Sequence, residues 1–166
     1  VPGVEELSEG DPEHLVVENA RRKAEAVPAE GRLVIACDTD VVLDGEVLGK
    51  PADAGEARAY LDRMSGRGHT VMSGLVIRDQ TQLFLHTGNN CIRAGVEKTT
   101  VVFKDLSDEE KDRYVRFGEW EGRSGGYAIQ TLGSSLVARL EGSVSNVVGL
   151  PVGLLAELAP ALFERR

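Results

Sequence analysis

Sulfur and aromatic rings are scarce in this 166-residue chain: two Cys, two Met, four Phe, three Tyr and one Trp. Two cysteines as far apart as Cys37 and Cys91 give neither a disulfide framework nor a zinc site. The three histidines, His14, His69 and His86, have no metal-ligand spacing. No apolar run is long enough to span a bilayer and no signal peptide is legible, so a cytoplasmic location is the default expectation. Positive charge is short too. Nineteen Lys and Arg against 27 Asp and Glu leave a net charge of -8, which argues against a nucleic-acid groove. A small anionic substrate is still admissible where a few local cations and a metal receive it. The length suits one domain with a real core, without repeats or low-complexity segments. The chain opens on Val1-Pro2 and not on Met, which fits processing or an absent N-terminal piece.

The most informative stretch is Leu33 to Pro51. Leu33 to Cys37 is a short apolar run of strand character, and it is expected to end at Asp38-Thr39-Asp40. Carboxylates at the exit of a buried strand are costly unless a cation or a transferable proton meets them. Val41 to Leu43 and Glu46 to Leu48 read as the arms of a hairpin turning on Asp44-Gly45. That fold-back brings Lys50 toward Asp38, an arrangement suited to phosphate and a divalent metal. The plainer alternative is a buried strand followed by a solvated turn.

Along the rest of the chain, Asp11-Pro12 starts a helix running to about Val27, with an apolar face of Leu15, Ala20 and Ala24. Asp53 to Glu56 caps a second helix that ends before Ser65-Gly66. His69 to Ile77 and Gln82 to His86 read as strands, as do Thr99 to Phe103 and Leu136 to Leu140. Ser107 to Glu110 is another capping box, and Pro151 begins a last apolar helix. The pattern is α/β with a mixed sheet. Candidate ligand-handling groups are Glu6, Arg67 in a Gly-flanked turn, the adjacent glycines before Tyr127 and the Gly142–Pro151 loop.

Four motifs stand in order: D-T-x-V…L-G-K-P, S-G-R-x-H-x-V, G-G-Y-x-I-Q and S-x-x-N-V-V-G-L-P. From Val4 to about Leu158 the chain thereby closely resembles the Maf family of nucleoside triphosphate pyrophosphatases, also called septum-formation inhibitors. The resemblance implies an elongated α/β fold of the inosine-triphosphate-pyrophosphatase type, with flanking helices and a cleft between two lobes. It implies hydrolysis of a nucleoside triphosphate to monophosphate and pyrophosphate with Mg²⁺ or Mn²⁺, and the Y-x-I-Q form resembles the dTTP/UTP subfamily. It is compatible with a homodimer. By motif position, Asp38 resembles the catalytic carboxylate and a metal ligand, Glu6 the metal-site glutamate and Lys23 the phosphate-binding helix lysine. Lys50 and Gln130 complete the active-site set. Arg67 is expected on phosphate, and His69 and Ser73 in the substrate pocket.

Two departures carry expectations of their own. The family's opening S-x-S-x-R-R motif, with its strand and helix, is absent, so this chain is expected to be weak or inactive beside a longer parent. Asp40 stands where the family usually has an apolar residue, as a third metal ligand or a local variation. It also makes D-T-D resemble the first motif of haloacid-dehalogenase-type phosphatases, with Asp38 as nucleophile and Asp40 as general acid. No later acidic pair supports that reading. A nucleotide-binding cell-division regulator with little turnover is the third alternative.

Overall fold

The computed structural model describes residues 1–28, 30–81 and 91–164. Its scaffold is a five-stranded sheet in the order β2-β1-β3-β4-β5. The strands are β1 Leu33–Leu43, β2 Glu46–Leu48, β3 Gly68–Asp79, β4 Cys91–Phe103 and β5 Val137–Glu141. Helices α1 Pro12–Glu25, α2 Ala54–Met64, α3 Asp108–Phe117, α4 Val144–Val148 and α5 Val152–Leu158 flank it.

The α/β class is as expected. The sheet differs in one respect: every neighbouring pair among the described strands is antiparallel, where a mixed sheet was expected. The first hairpin explains why. Asp44 and Gly45 take φ of 55° and 83° and turn β1 directly into β2. Helix α2 then carries the chain to the other side of β1. There β3 runs in the same direction as β2 but pairs with β1, which lies between them. The helix–strand alternation reports a crossover, yet no parallel strands become neighbours.

Caps are where the sequence places them. Asp11 accepts the His14 N–H, Asp53 accepts the Glu56 N–H, and Ser107 and Glu110 form a reciprocal capping box. Strand ends are less local. β1 continues through Asp38-Thr39-Asp40 instead of ending at Cys37, because Asp38, Thr39 and Asp40 are paired against Gly74, Ser73 and Met72. Residues 144–148 form α4 where a loop was expected, with Ser143 capping its first turn. The expected strand from Gln82 to His86 lies outside the described residues. No helix among the described residues is long and apolar enough to cross a membrane.

Two packing regions fix the elements that matter below. Ala20 and Ala24 of α1 pack on Val34 and Val76. Gly74 permits this close approach, since a Cβ there would overlap the Val16 carbonyl group. A larger core gathers Val41, Leu43, Leu61, Phe103, Tyr114 and Tyr127. His69 is buried in it, with Nε2 2.8 Å from the Tyr127 hydroxyl and Nδ1 unpartnered. Its ring meets Phe103 edge-on at a centroid distance of 4.8 Å.

Burial pushes the His69 imidazolium pKa from 6.5 down to about 4. The unfolded chain binds this proton more readily than the folded one. Stability from this group is therefore complete above pH 6.5 and falls as the pH drops toward 4, by about 3 kcal/mol in total. Denaturant unfolding between pH 7 and pH 4 should show that slope, and His69→Gln should flatten it. An equal slope in both proteins refutes the assignment.

Candidate active site

Alternation along β1 sends Val34, Ala36, Asp38 and Asp40 toward one face of the sheet and Leu33, Cys37, Thr39 and Val41 toward the other. Val34 and Ala36 pack under α1, whereas Leu33 and Cys37 pack with the Leu155 region. Asp38 thus comes up beneath α1, where Asn19 and Lys23 lie one helical turn apart. Asn19 is buried and fully used. Its Oδ1 accepts the Leu7 N–H at 2.7 Å, and its Nδ2 donates to the Leu7 carbonyl at 3.0 Å and to Asp38 Oδ2 at 3.2 Å.

That amide pins the extended N-terminal segment to α1, and Arg22 adds a bond to the Glu5 carbonyl at 3.0 Å. Glu6 is thereby set beside Lys23. The Lys23 ammonium pairs with Glu6 Oε1 at 2.6 Å and with Asp38 Oδ1. Lys50, just beyond the hairpin, reaches Glu6 Oε2 at 3.5 Å. The Lys23 hydrogen bond is the main cause holding the Glu6 carboxyl below its ordinary range. Burial works against the Lys23 ammonium, but its bonds to Asp38 and Glu6 outweigh that and raise its pKa.

Two adjoining cavities meet at Asp38, Thr39 and Lys50. The first is bordered by Glu6, Asn19 and Asp40. The second is lined by Val41, Val71, Tyr127 and Val147 together with the charged or polar Lys23, Arg123 and Gln130. The segment 122–126 closes one side of this second cavity. It is locked by Gly125, whose φ is +70° and whose Cβ, if present, would stand 2.5 Å from Val41 Cγ2. Burial lifts the Asp40 pKa, with the Asp38 and Glu6 charges adding to it and a hydrogen bond from Ser124 opposing it.

Asp38, Glu6, Lys23, Lys50 and Gln130 all line this pair of adjoining cavities. Three expectations change. Arg67 does not border either cavity: the hairpin-tip carboxylate of Asp44 captures it at 2.7 and 2.9 Å. His69 lies in the core behind Tyr127, because its ring packs better there than at a solvated wall. Ser73 is fully buried and supports Thr39 instead of facing the cleft, with Oγ 2.7 Å from Thr39 Oγ1 and 3.2 Å from the Asn146 carbonyl. Trp120 packs against the core, with Nε1 donating to the Val115 carbonyl at 2.9 Å.

Asn19, Thr39 and Ser124 were missed as site residues. The i, i+4 spacing of Asn19 and Lys23 on one helix was the available signal for Asn19. Nothing local marks Ser124, whose partners lie more than 70 residues away.

Mg²⁺ and Mn²⁺ favour hard oxygen donors. Among the described residues no three His, Cys, Asp or Glu side chains form a closed metal cage. Glu6 and Asp38 do converge on one cation, the Lys23 ammonium. Two carboxylates facing a single positive centre fit Mg²⁺ or Mn²⁺, which need only one or two protein carboxylates where substrate phosphates complete the shell.

The family model described as Maf-like protein matches residues 1–162. Similar proteins named dTTP/UTP pyrophosphatase occur in bacteria and archaea. One from Pelotomaculum thermopropionicum is 42% identical over 160 residues, covering 94% of this chain and 80% of its own length. One from Thermus thermophilus is 46% identical, covering 92% of this chain and 76% of its own. One from Pyrococcus abyssi is 39% identical, covering 93% and 79%.

Replacing Lys23 by Met leaves Glu6 and Asp38 without their shared cation. The expected cost is about 2–3 kcal/mol of stability, at the low end for a broken ion pair because Glu6 is partly solvated. Mg²⁺ or Mn²⁺ should then raise the melting temperature of Lys23→Met more than that of the unmodified protein. Equal shifts would show that the two carboxylates do not share a cation site.

Proposed function

The chain belongs to the Maf-like protein family, and from that premise we propose that it is a nucleoside triphosphate pyrophosphatase. It converts dTTP or UTP to the monophosphate and pyrophosphate with a divalent metal, acting on a cytoplasmic nucleotide pool. The observation that carries the reading is the place of Asp38, at the junction between a compartment of carboxylates and Lys50 and one whose walls join apolar residues to Lys23, Arg123 and Gln130. A base and sugar suit the second compartment, the phosphates suit the first, and the α-phosphorus comes to the junction.

Asp38 is the general base in this scheme. Its Oδ1 is held by Lys23 and its Oδ2 by Asn19, which fix one rotamer. A carboxylate has about four acceptor sites, so two contacts leave room for a water. Asp38 orients that water and takes its proton as the oxygen attacks the α-phosphorus. The bond to the bridging oxygen breaks and pyrophosphate leaves. Lys50 is exposed and has one long contact to Glu6, so it is free to turn onto the charge gathering on the leaving group. Gln130 presents its amide to the nucleotide from the 127–130 segment. Glu6 and Asp38 would hold Mg²⁺ or Mn²⁺ together with the substrate's phosphates, and the ion would neutralise triphosphate charge.

The aspartyl-phosphate alternative is disfavoured by Asp40. As a general acid it would need to reach the leaving group, but it is tied to Ser124 at 2.9 Å.

The test is product analysis with dTTP, UTP, CTP, GTP and 7-methyl-GTP in Mg²⁺ or Mn²⁺, alongside Asp38→Asn. Pyrophosphate from dTTP and UTP is expected, reduced by at least about a hundredfold in the variant. Orthophosphate as the product would favour the aspartyl-phosphate route. Nucleotide binding without product would favour the regulator.

A further inference from the structure

Asp40 borders the carboxylate compartment, while Ser124 lines the neighbouring one. The hydrogen bond between them, 2.9 Å from Ser124 Oγ to Asp40 Oδ1, joins the two walls. Ser124 Oγ also lies 2.8 Å from the Leu48 carbonyl and accepts the Val41 N–H at 3.2 Å. Beside it, the Gly125 N–H donates to the Gly49 carbonyl at 3.0 Å. The segment bearing Arg123, Tyr127 and Gln130 is thus stapled to β1 and to the end of the β1–β2 hairpin by the Ser124 hydroxyl and the neighbouring Gly125 N–H.

On these contacts we propose that Asp40 is a positioning residue, which acts through Ser124 to hold the 122–130 wall in register with Asp38. The inference rests on the nucleotide pyrophosphatase reading for its kinetic consequence, though not for the contact itself. Hydrogen counting sharpens it. A serine has one proton to donate, and here two acceptors, Asp40 and the Leu48 carbonyl, compete for it. An asparagine at position 40 would turn an N–H toward Ser124 Oγ and free the serine proton for Leu48. Asp40→Asn should therefore keep the bond between the two walls, and Asp40→Ala should remove it, leaving the segment held only by the Val41, Leu48 and Gly49 contacts. A metal ligand or an acid–base group would be lost in both variants alike, since the amide has neither the charge nor a titratable proton.

The experiment compares the unmodified protein with Asp40→Ala, Asp40→Asn, Ser124→Ala and the Asp40→Ala/Ser124→Ala double variant. It measures steady-state pyrophosphate release from dTTP with Mg²⁺ and amide hydrogen exchange over 122–130. Asp40→Ala is expected to raise KM by about tenfold with a smaller change in kcat, and Asp40→Asn to recover most of that loss. Ser124→Ala should resemble Asp40→Ala, and the double variant should be little worse than either, as for two residues acting through one contact. Faster exchange over 122–130 should follow Asp40→Ala but not Asp40→Asn. Asparagine as damaging as alanine, additive losses in the double variant, or unchanged exchange in Asp40→Ala would each overturn the proposal. Faster exchange with KM unmoved would reduce Asp40 to a structural role and overturn it as well. An unmodified protein that releases no pyrophosphate would sink the enzymatic reading, while the exchange data would still judge the staple.

Discussion

The Lys23 ammonium is the contact on which the site depends. It lies against Glu6 and Asp38 at once, and these come from an extended N-terminal segment and from the middle of a strand. Two carboxylates facing each other in partly buried surroundings repel, and burial alone discourages their ionisation. One shared cation reverses both effects. The Lys23–Glu6 pair adds a second tie to an N-terminal segment that Asn19 already holds through Leu7. Folding and ligand chemistry therefore use the same charge.

The sheet supplies the other half of the arrangement. β1 pairs with β3 from Leu33 to Val42 but with β2 only from Val41 to Leu43, so the β3 register fixes the heights of Asp38 and Asp40 just short of where β2 begins. Period-two alternation then divides the work. Asp38 and Asp40 point toward the helix side, and Thr39 and Val41 toward the side closed by Tyr127 and α4. A single strand in this way borders two compartments. Ser73, directly opposite Thr39 in the register, fills the space behind it.

Much of this was legible in the sequence because it is local. The Asp44-Gly45 hairpin, the capping residues of α1 to α3 and the apolar face of α1 follow from spacing within a few residues. The motifs identified Asp38, Glu6, Lys23, Lys50 and Gln130, and the fold brings them to one cleft. What was not legible is long-range. Strand β1 runs through its charges because β3 pairs with them, and no local propensity reports a partner more than 30 residues away. Arg67 was misread because a cation in a turn binds whichever carboxylate the tertiary fold supplies, and here that is Asp44. His69 is the converse case: a polar label says little about a ring that two aromatic neighbours, Phe103 and Tyr127, enclose in the core.

Charge finally constrains how substrate can enter. The chain carries a net charge of -8, and the cleft's Lys23, Lys50 and Arg123 are matched by Glu6, Asp38 and Asp40. Such a site has no surplus positive charge with which to receive a triphosphate. The proposed reaction consequently requires a divalent cation arriving with the nucleotide, and the lysines then serve charge that develops during bond breaking. On this argument Lys23 does more than hold two carboxylates together before substrate binds. In the proposed reaction it would keep the position of a second cation defined, because the same two oxygens could turn to a metal without rebuilding the strand beneath them.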